Sequence, residues 1–105
     1  MADVTFGQRI RALRKELGLS QRDLAQRVGI DFTYLSKIEN SRGEPPSEAV
    51  IKRVATELRA DAHELIVLAG KIPSDLARVL AEHPEELTHL RRLMSGDKRR
   101  RLKRK

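Results

Sequence analysis

The sequence contains no cysteine and no tryptophan, and its aromatic residues are one tyrosine and two phenylalanines. Without cysteine there are no disulfides or thiolate metal sites, which fits the reducing cytoplasm where we expect the protein to reside. Because aromatics make up 3% of the chain and apolar residues 39%, the core must be built from Leu, Ile, Val and Ala. Little Gly- or Pro-rich punctuation separates short segments, so an all-α fold is favoured.

Long apolar runs are also missing. No stretch approaches the roughly 20 apolar residues of a membrane span, and the N-terminus lacks the apolar region of a signal peptide. We therefore expect no membrane partner. At 105 residues the chain is long enough for one domain with a short extension.

The sequence also lacks recognisable catalytic and cofactor-binding motifs. There is no nucleophile–base pattern, no paired-carboxylate motif and no Gly-rich phosphate loop, so we expect neither an enzyme nor a cofactor. The three histidines, His63, His83 and His89, are irregularly spaced and have no cysteine or H-E-x-x-H motif beside them, so we expect no metal site. A binding protein is the remaining class.

Positive charge is plentiful but unevenly placed. The net charge is +7, and seven of the 22 basic residues lie in Lys98 to Lys105, which has no acidic residue. Residues 1–97 thus hold 15 basic and 15 acidic side chains. Any binding of an anionic partner by the folded part must depend on arrangement, while the basic end can add unspecific attraction.

The most informative stretch runs from Ser20 to Asn40. Ser20 followed by Asp23 is a capping-box pattern, and Gly29 stands where a first short helix must stop. Asp31 is placed to cap a second helix. The inward positions of the two helices and their turn are Leu24, Ala25, Val28, Ile30, Leu35 and Ile38. Two helices joined by a short Gly-containing turn make a helix-turn-helix.

Three further helices complete the first 70 residues. Thr5 is placed to cap a helix running to about Leu17, Ser47 a helix running to about Arg59, and Asp61 a short helix ended by Gly70. Their predicted inward residues are Phe6, Ile10, Leu13 and Leu17, then Val50, Ile51, Val54, Ala55 and Leu58, then Leu65, Ile66, Leu68 and Ala69. Five short helices make a compact bundle.

The remaining residues predict two more helices and a tail. Ser74 starts one helix, and Pro84 suits the first position of the next, which Gly96 is predicted to end. Their apolar stripe consists of Leu76, Val79, Leu80, Leu87, Leu90, Leu93 and Met94. The stripe either packs on the core or forms a two-fold dimer interface, and we favour the interface. We therefore expect a domain at 1–70, a dimerising extension at 71–96 and a disordered basic tail at 97–105.

The order IRALRKELGLSQRDLAQRVGIDFTYLSKIENSRGEPP, with the pattern L-S-Q-x-x-L-A-x-x-x-G-I-x-x-x-Y-L-S-K-I-E-N, resembles the XRE helix-turn-helix family. This family comprises the Cro/CI-like phage repressors and their bacterial relatives, and the resemblance covers Phe6 to Ala69. It implies an all-α, five-helix, lambda-repressor-like domain, here followed by a two-helix extension. It also implies that helix 31–40 enters the major groove of double-stranded DNA.

The resemblance implies a set of DNA-contacting residues. Gln21 resembles a glutamine that binds a phosphate and braces the recognition helix, and Arg14 and Glu39 resemble a buried pair. Phe32 is left open between groove contact and core packing. The expected DNA-binding residues are Ser20, Gln21, Asn40 and Arg42 near the backbone, Phe32, Thr33 and Lys37 at base edges, and Tyr34 beside them.

These features together predict a sequence-specific transcriptional regulator, a dimeric repressor that reads a palindromic operator through helix 31–40. A first alternative is an antitoxin-like DNA-binding protein whose segment 71–96 holds a protein partner. A second is a protein-interaction adaptor without specific DNA binding. The adaptor predicts that Gln21→Ala and Lys37→Ala leave function intact.

Overall fold

The computed structural model describes the backbone of residues 4–103 and the side chains of residues 4–96. In that range the chain is helical, with no strand, which confirms the all-α class. Two compact units are distinguished, Met1–Pro73 and Ser74–Lys105. The helices are α1 (Phe6–Glu16), α2 (Gln21–Val28), α3 (Phe32–Glu39), α4 (Glu48–Leu58), α5 (Ala62–Leu68), α6 (Ser74–Glu82) and α7 (Pro84–Lys103).

Side-chain caps fix where most helices of the first unit begin. Thr5 and Ser20 both form full capping boxes, with Gln8 and Asp23 as their partners. Ser47 and Asp61 accept hydrogen bonds from backbone N–H groups in α4 and α5, as the sequence predicts. Asp31 is the exception, because it occupies the N-cap of α3 but its side chain makes no capping hydrogen bond.

The core of the first unit is aliphatic. Its buried members come from α1 to α5 and are Ile10, Leu24, Ala25, Val28, Leu35, Ile51, Val54, Ala55, Leu58, Leu65 and Ile66. Two predicted core positions are wrong. Leu17 is 38% exposed because α1 ends at Glu16, and Leu68 is 40% exposed because it is the last residue of α5.

The backbones of α1 and α3 approach each other closely at Gly7. A Cβ atom added at Gly7 would lie 2.3 Å from the carbonyl oxygen of Ile38 and 2.8 Å from that of Glu39. Only a residue without a side chain fits there. Gly7 thus lets the first helix pack directly on the C-terminal turn of the third.

The second unit consists of α6 and α7, and α6 has no buried residue. Of the seven stripe residues only Leu80 is half-buried, and the other six are 38–63% exposed. Most of this stripe is therefore exposed in the described residues.

The predicted end of the last helix at Gly96 is wrong, since α7 continues to Lys103. Gly96 does not have the positive φ of a helix-ending glycine, and glycine inside a helix costs only about 1 kcal/mol relative to alanine. Residues 97–103 of the segment that we expect to be a disordered basic tail, 97–105, belong to α7 in this structure. The last two residues of that segment, Arg104 and Lys105, lie outside the described residues.

Within residues 4–103, every helix is too short or too polar to cross a membrane.

Candidate nucleic-acid interface

The turn between α2 and α3 sets the angle at which the two helices meet. Gly29 ends α2 with φ 82°, a left-handed conformation, and its N–H donates to the carbonyl of Ala25. The N–H of Ile30 donates to the same carbonyl at 3.0 Å. Ile30 itself is half-buried against the core. The predicted helix-turn-helix is thus present, with its Gly and its apolar plug in the expected places.

Glu39 is the point where three helices are tied together. It is 4% exposed and accepts hydrogen bonds from Arg14 Nε at 2.7 Å and Arg14 Nη2 at 3.0 Å. Gln21 Nε2 donates to its Oε1 at 2.9 Å, and Arg14 Nη1 donates to the carbonyl of Leu19 at 2.8 Å. A buried charge needs partners of this kind. The predicted Arg14–Glu39 pair is confirmed.

The burial pattern of α3 defines which of its sides faces outward. Its buried residues are Leu35, Ile38 and Glu39. At about 100° per residue, the opposite side is centred on Thr33, Lys37 and Asn40, which are all exposed. We call these three residues the outward face of α3.

Phe32 and Tyr34 lie on opposite flanks of that face, 41% and 36% exposed. Phe32 therefore does not fill the core, and the core-packing alternative is wrong for it. Its ring lies under the guanidinium of Arg22, whose Cζ is 4.7 Å from the ring centroid. This distance is within the range of a cation–π contact.

The first turn of α2 lies alongside α3. Gln21 and Arg22 are adjacent on α2, yet Gln21 contacts Glu39 and Arg22 contacts Phe32. Phe32 and Glu39 are the two ends of α3, about 10 Å apart along its axis. Neighbouring side chains of α2 therefore contact both ends of the helix that carries the outward face, with hydrogen bonding at its C-terminal end only.

The remaining predicted residues lie at the edges of this arrangement. Ser20 is exposed, and its hydroxyl accepts the N–H of Asp23 at 3.0 Å. Asn40 is exposed, and its Nδ2 donates to the Ser36 carbonyl at 2.9 Å. Arg42 is exposed, and its N–H donates to the carbonyl of Lys37 at 2.9 Å.

One titration is shifted here. The backbone N–H of Ser20, with the Ser20 side chain second, holds the pKa of Asp23 below its ordinary value of 3.8. Asp23 therefore stays ionised at the positive end of the α2 dipole, where a carboxylate is stabilising.

The predicted set of DNA-binding residues does not include two side chains that the structure places in this region, Ser36 and Arg22. Ser36 lies between Thr33 and Asn40 on α3. Its i+3 spacing from Thr33 already indicates that the two side chains are neighbours on the helix surface. Arg22 has no comparable signal, because its contact with Phe32 arises only when α2 and α3 pack together.

Comparison with known proteins identifies the class of this domain. A family model described as a helix-turn-helix domain matches residues 5–68, the span of α1 to α5. The chain therefore belongs to this helix-turn-helix family, and its relatives are regulators of the XRE type that the sequence resembles. That class consists of DNA-binding regulators and not of enzymes.

Two curated relatives are from Bacillus subtilis (strain 168). The transcriptional repressor RghR is 37% identical over 68 residues, covering 65% of this chain and 50% of RghR. The transcriptional regulator SinR is 38% identical over 61 residues, covering 58% of this chain and 55% of SinR. The chain thus spans about half the length of these relatives.

Two solved structures are similar to different extents of the chain. The structure of SinR in complex with DNA has a TM-score of 0.55 at 38% identity, covering 58% of this chain and 97% of that one. A structure of a SinR–SinI protein complex has a TM-score of 0.56 at 27% identity, covering 92% of this chain and 98% of that one. The second match extends beyond residues 5–68.

Proposed function

We propose that this protein is a DNA-binding transcriptional regulator that acts as a dimeric repressor, with α3 of each protomer in the major groove of a palindromic operator. The observation that carries the proposal is the outward face of α3, which is exposed on a helix tied to α1 and α2 through Glu39. It lies within the segment that matches the helix-turn-helix family. A relative named as a repressor and a similar structure bound to DNA support the same conclusion.

Recognition is assigned to the side chains of α3. Lys37 is a cation suited to the O6 and N7 acceptors of guanine, and the methyl group of Thr33 is suited to that of thymine. Phe32 and Tyr34, on the flanks of the outward face, extend it to either side, with the Tyr34 hydroxyl directed to phosphate. Base discrimination requires a fixed helix, and the hydrogen bonds from Arg14 and Gln21 to Glu39 tie α3 to α1 and α2.

Positioning on the DNA backbone is assigned to Ser20, Gln21, Asn40 and Arg42. Ser20 and Gln21 lie at the N-terminus of α2, where the helix dipole favours an anionic phosphate. The single Gln21 donor that contacts Glu39 leaves its second N–H available. The same residue then braces α3 and binds a phosphate, the double role that the family resemblance implies.

Dimerisation is assigned to the stripe of α6 and α7. One such domain offers limited contact with DNA, and helix-turn-helix proteins read two half-sites about one DNA turn apart. The stripe exposes six large apolar side chains, and burial against a second copy removes them from water. Sedimentation equilibrium is expected to show a dimer that Leu90→Ser weakens. Thr88→Ala, on the opposite side of α7, is the control and leaves the dimer intact.

A second candidate function uses the same stripe for a different protein, as in an antitoxin-like regulator. The similar SinR–SinI structure is of a two-protein complex and matches 92% of this chain. Recovery of a stoichiometric second protein at physiological salt, lost in Leu90→Ser and kept in Thr88→Ala, would favour this candidate.

Selection of bound sequences from random duplex DNA tests the regulator directly. The expected result is a palindromic consensus with half-site centres about 10 bp apart. Lys37→Ala should lose one base preference in each half-site. Lys52→Ala removes the same charge from α4, where Lys52 pairs with Glu48, and should leave the consensus unchanged. Binding without any base preference contradicts the proposal, because the positive charge of residues 98–105 alone would then explain the binding. Activity that survives Gln21→Ala and Lys37→Ala would instead identify the adaptor.

A further inference from the structure

The contact between Arg22 and Phe32 is made at the surface of the domain. Arg22 is exposed and Phe32 is 41% exposed, so the stacked pair is open to a partner on one side. It lies at the first residue of α3, and the N-terminal residues of a recognition helix are those that contact base edges.

The guanidinium of Arg22 has unused hydrogen-bonding capacity. Arg22 donates to no protein acceptor among the described residues, and its guanidinium lies over the Phe32 ring. The buried Arg14, by contrast, donates to Glu39 and to the carbonyl of Leu19. Five N–H donors of Arg22 therefore remain for an acceptor outside the protein.

We propose that Arg22 is a specificity-determining residue that reads a guanine from its stacked position on Phe32, while the Phe32 ring contacts the methyl group of the adjacent thymine. This inference rests on the proposed function, since it requires α3 to lie in the major groove. It predicts a thymine–guanine step in each half-site, at the position that faces the N-terminus of α3.

The chemistry of the pair favours a base over a phosphate. A planar guanidinium donates bidentately to O6 and N7 of guanine, and an apolar side chain is the usual contact for the thymine methyl. Stacking on the ring restricts the rotamers of Arg22 before binding, which lowers the entropy cost of an oriented contact. A phosphate also accepts a bidentate guanidinium, so the feature that favours a base is the apolar Phe32 ring beside Arg22, which suits a thymine methyl group and not a phosphate.

The first experiment compares selected consensus sequences for the full chain and its variants. Arg22→Ala should remove the guanine preference at one position per half-site, with binding to the wild-type consensus weakened about 5- to 150-fold. Arg22→Lys keeps the charge but not the planar fork, so it should lose the same preference. Arg27→Ala, an exposed arginine at the other end of α2, is the matched control and should leave every preference intact.

The second experiment tests the thymine contact without changing the protein fold. Replacing the thymine of the step by deoxyuridine removes only the methyl group, which should weaken wild-type binding about fourfold, the value of one buried methyl-sized group. Phe32→Ala should make the protein indifferent to that replacement. A thermal unfolding midpoint equal to that of the wild type shows, for each variant, that the lost base preference is not caused by loss of the fold.

The outcomes separate this inference from the proposed function. If the wild-type chain selects a consensus that Arg22→Ala retains, with only a salt dependence shallower by about one counterion, Arg22 is a phosphate contact and the inference is overturned. If the wild-type chain selects no consensus at all, the proposed function fails first. Loss of the guanine preference alone, with the other positions retained, supports the inference.

Discussion

The helices of the two units have similar apolar stripes, but the stripes are buried in the first unit and largely exposed in the second. In α1 to α5, residues such as Leu24, Leu35 and Ile51 are fully buried. In α6 and α7, Leu90 and Leu93 are 44% and 63% exposed. The same periodic pattern thus predicts an interface in both units. Among the described residues the first unit buries its apolar pattern, whereas most of the stripe on α6 and α7 stays exposed. Stability should therefore respond to substitution very differently in the two units.

The largest effect is expected at the ion pair inside the first unit. Arg14→Ala leaves the carboxylate of Glu39 buried without its charged partner, and this should lower the free energy of unfolding by about 3–5 kcal/mol. Lys52→Ala breaks a surface pair whose lysine side chain is 53% exposed, at a cost of about 0–1 kcal/mol. Urea denaturation of both variants measures the difference. Equal losses would show that burial does not distinguish the two pairs.

The next contrast is between two leucines. Leu24→Ala creates a cavity in the core and should cost about 2–5 kcal/mol at any protein concentration. Leu90→Ala should cost less than about 0.5 kcal/mol at concentrations where the chain is monomeric, and more only as the concentration rises. Thermal melts over a hundredfold concentration range provide the measurement. A loss for Leu90→Ala that is independent of concentration would mean that the stripe is packed within one chain.

Two glycines should respond with opposite signs. Gly7→Ala places a methyl group on the carbonyls of Ile38 and Glu39 and should destabilise the first unit by about 1–3 kcal/mol. Gly96→Ala adds a methyl group in open space within α7 and should stabilise that helix by about 0.5–1 kcal/mol. Circular dichroism at 222 nm during thermal unfolding follows both. A neutral Gly7→Ala would contradict the close approach of α1 and α3.

Two serines provide a smaller contrast of the same kind. Ser20→Ala removes the N-cap of α2 and should cost about 1 kcal/mol. Ser95→Ala, at an exposed position inside α7, replaces a residue of lower helix propensity and should gain up to about 0.5 kcal/mol. Paired denaturation curves decide this case. The opposite order of the two midpoints would mean that the Ser20 hydroxyl has no role as a cap.

The smallest effect is expected from the pH dependence of Asp23. Because its pKa is lowered in the folded state, its stabilising contribution is complete above its ordinary pKa of 3.8 and is lost as the pH falls through the lowered value. The melting temperatures of the wild type and of Asp23→Ala should therefore converge at low pH and separate at neutral pH. A constant separation across that range would remove Asp23 as the titrating group.

Local patterns predicted most of the first unit because its helices begin and end through local chemistry. The caps at Thr5, Ser20, Ser47 and Asp61 use side chains within three residues of their partners, and the stop at Gly29 needs only a left-handed backbone. The Arg14–Glu39 pair joins residues 25 positions apart, and here the family resemblance was required. Spacing alone contains no information about which distant charges meet.

The failures have a common physical origin in contacts and costs that extend beyond a few residues. Leu68 has the period of a core residue but lies at the last position of α5, where the core ends. Gly96 has the residue type of a helix stop, yet the cost of one glycine is too small to end α7. Arg22 and Phe32 are ten positions apart on different helices, so their contact depends on how α2 packs on α3.

The hydrogen bonds at Glu39 also affect whether the protein or the DNA deforms in the proposed complex. A helix whose last residue is a buried carboxylate bound by three donors has little freedom to tilt into a groove of unsuitable width. We expect the duplex to supply the adjustment by bending or by changing its groove width, at an elastic cost that depends on base sequence. Base pairs that no side chain touches would then influence affinity through their stiffness.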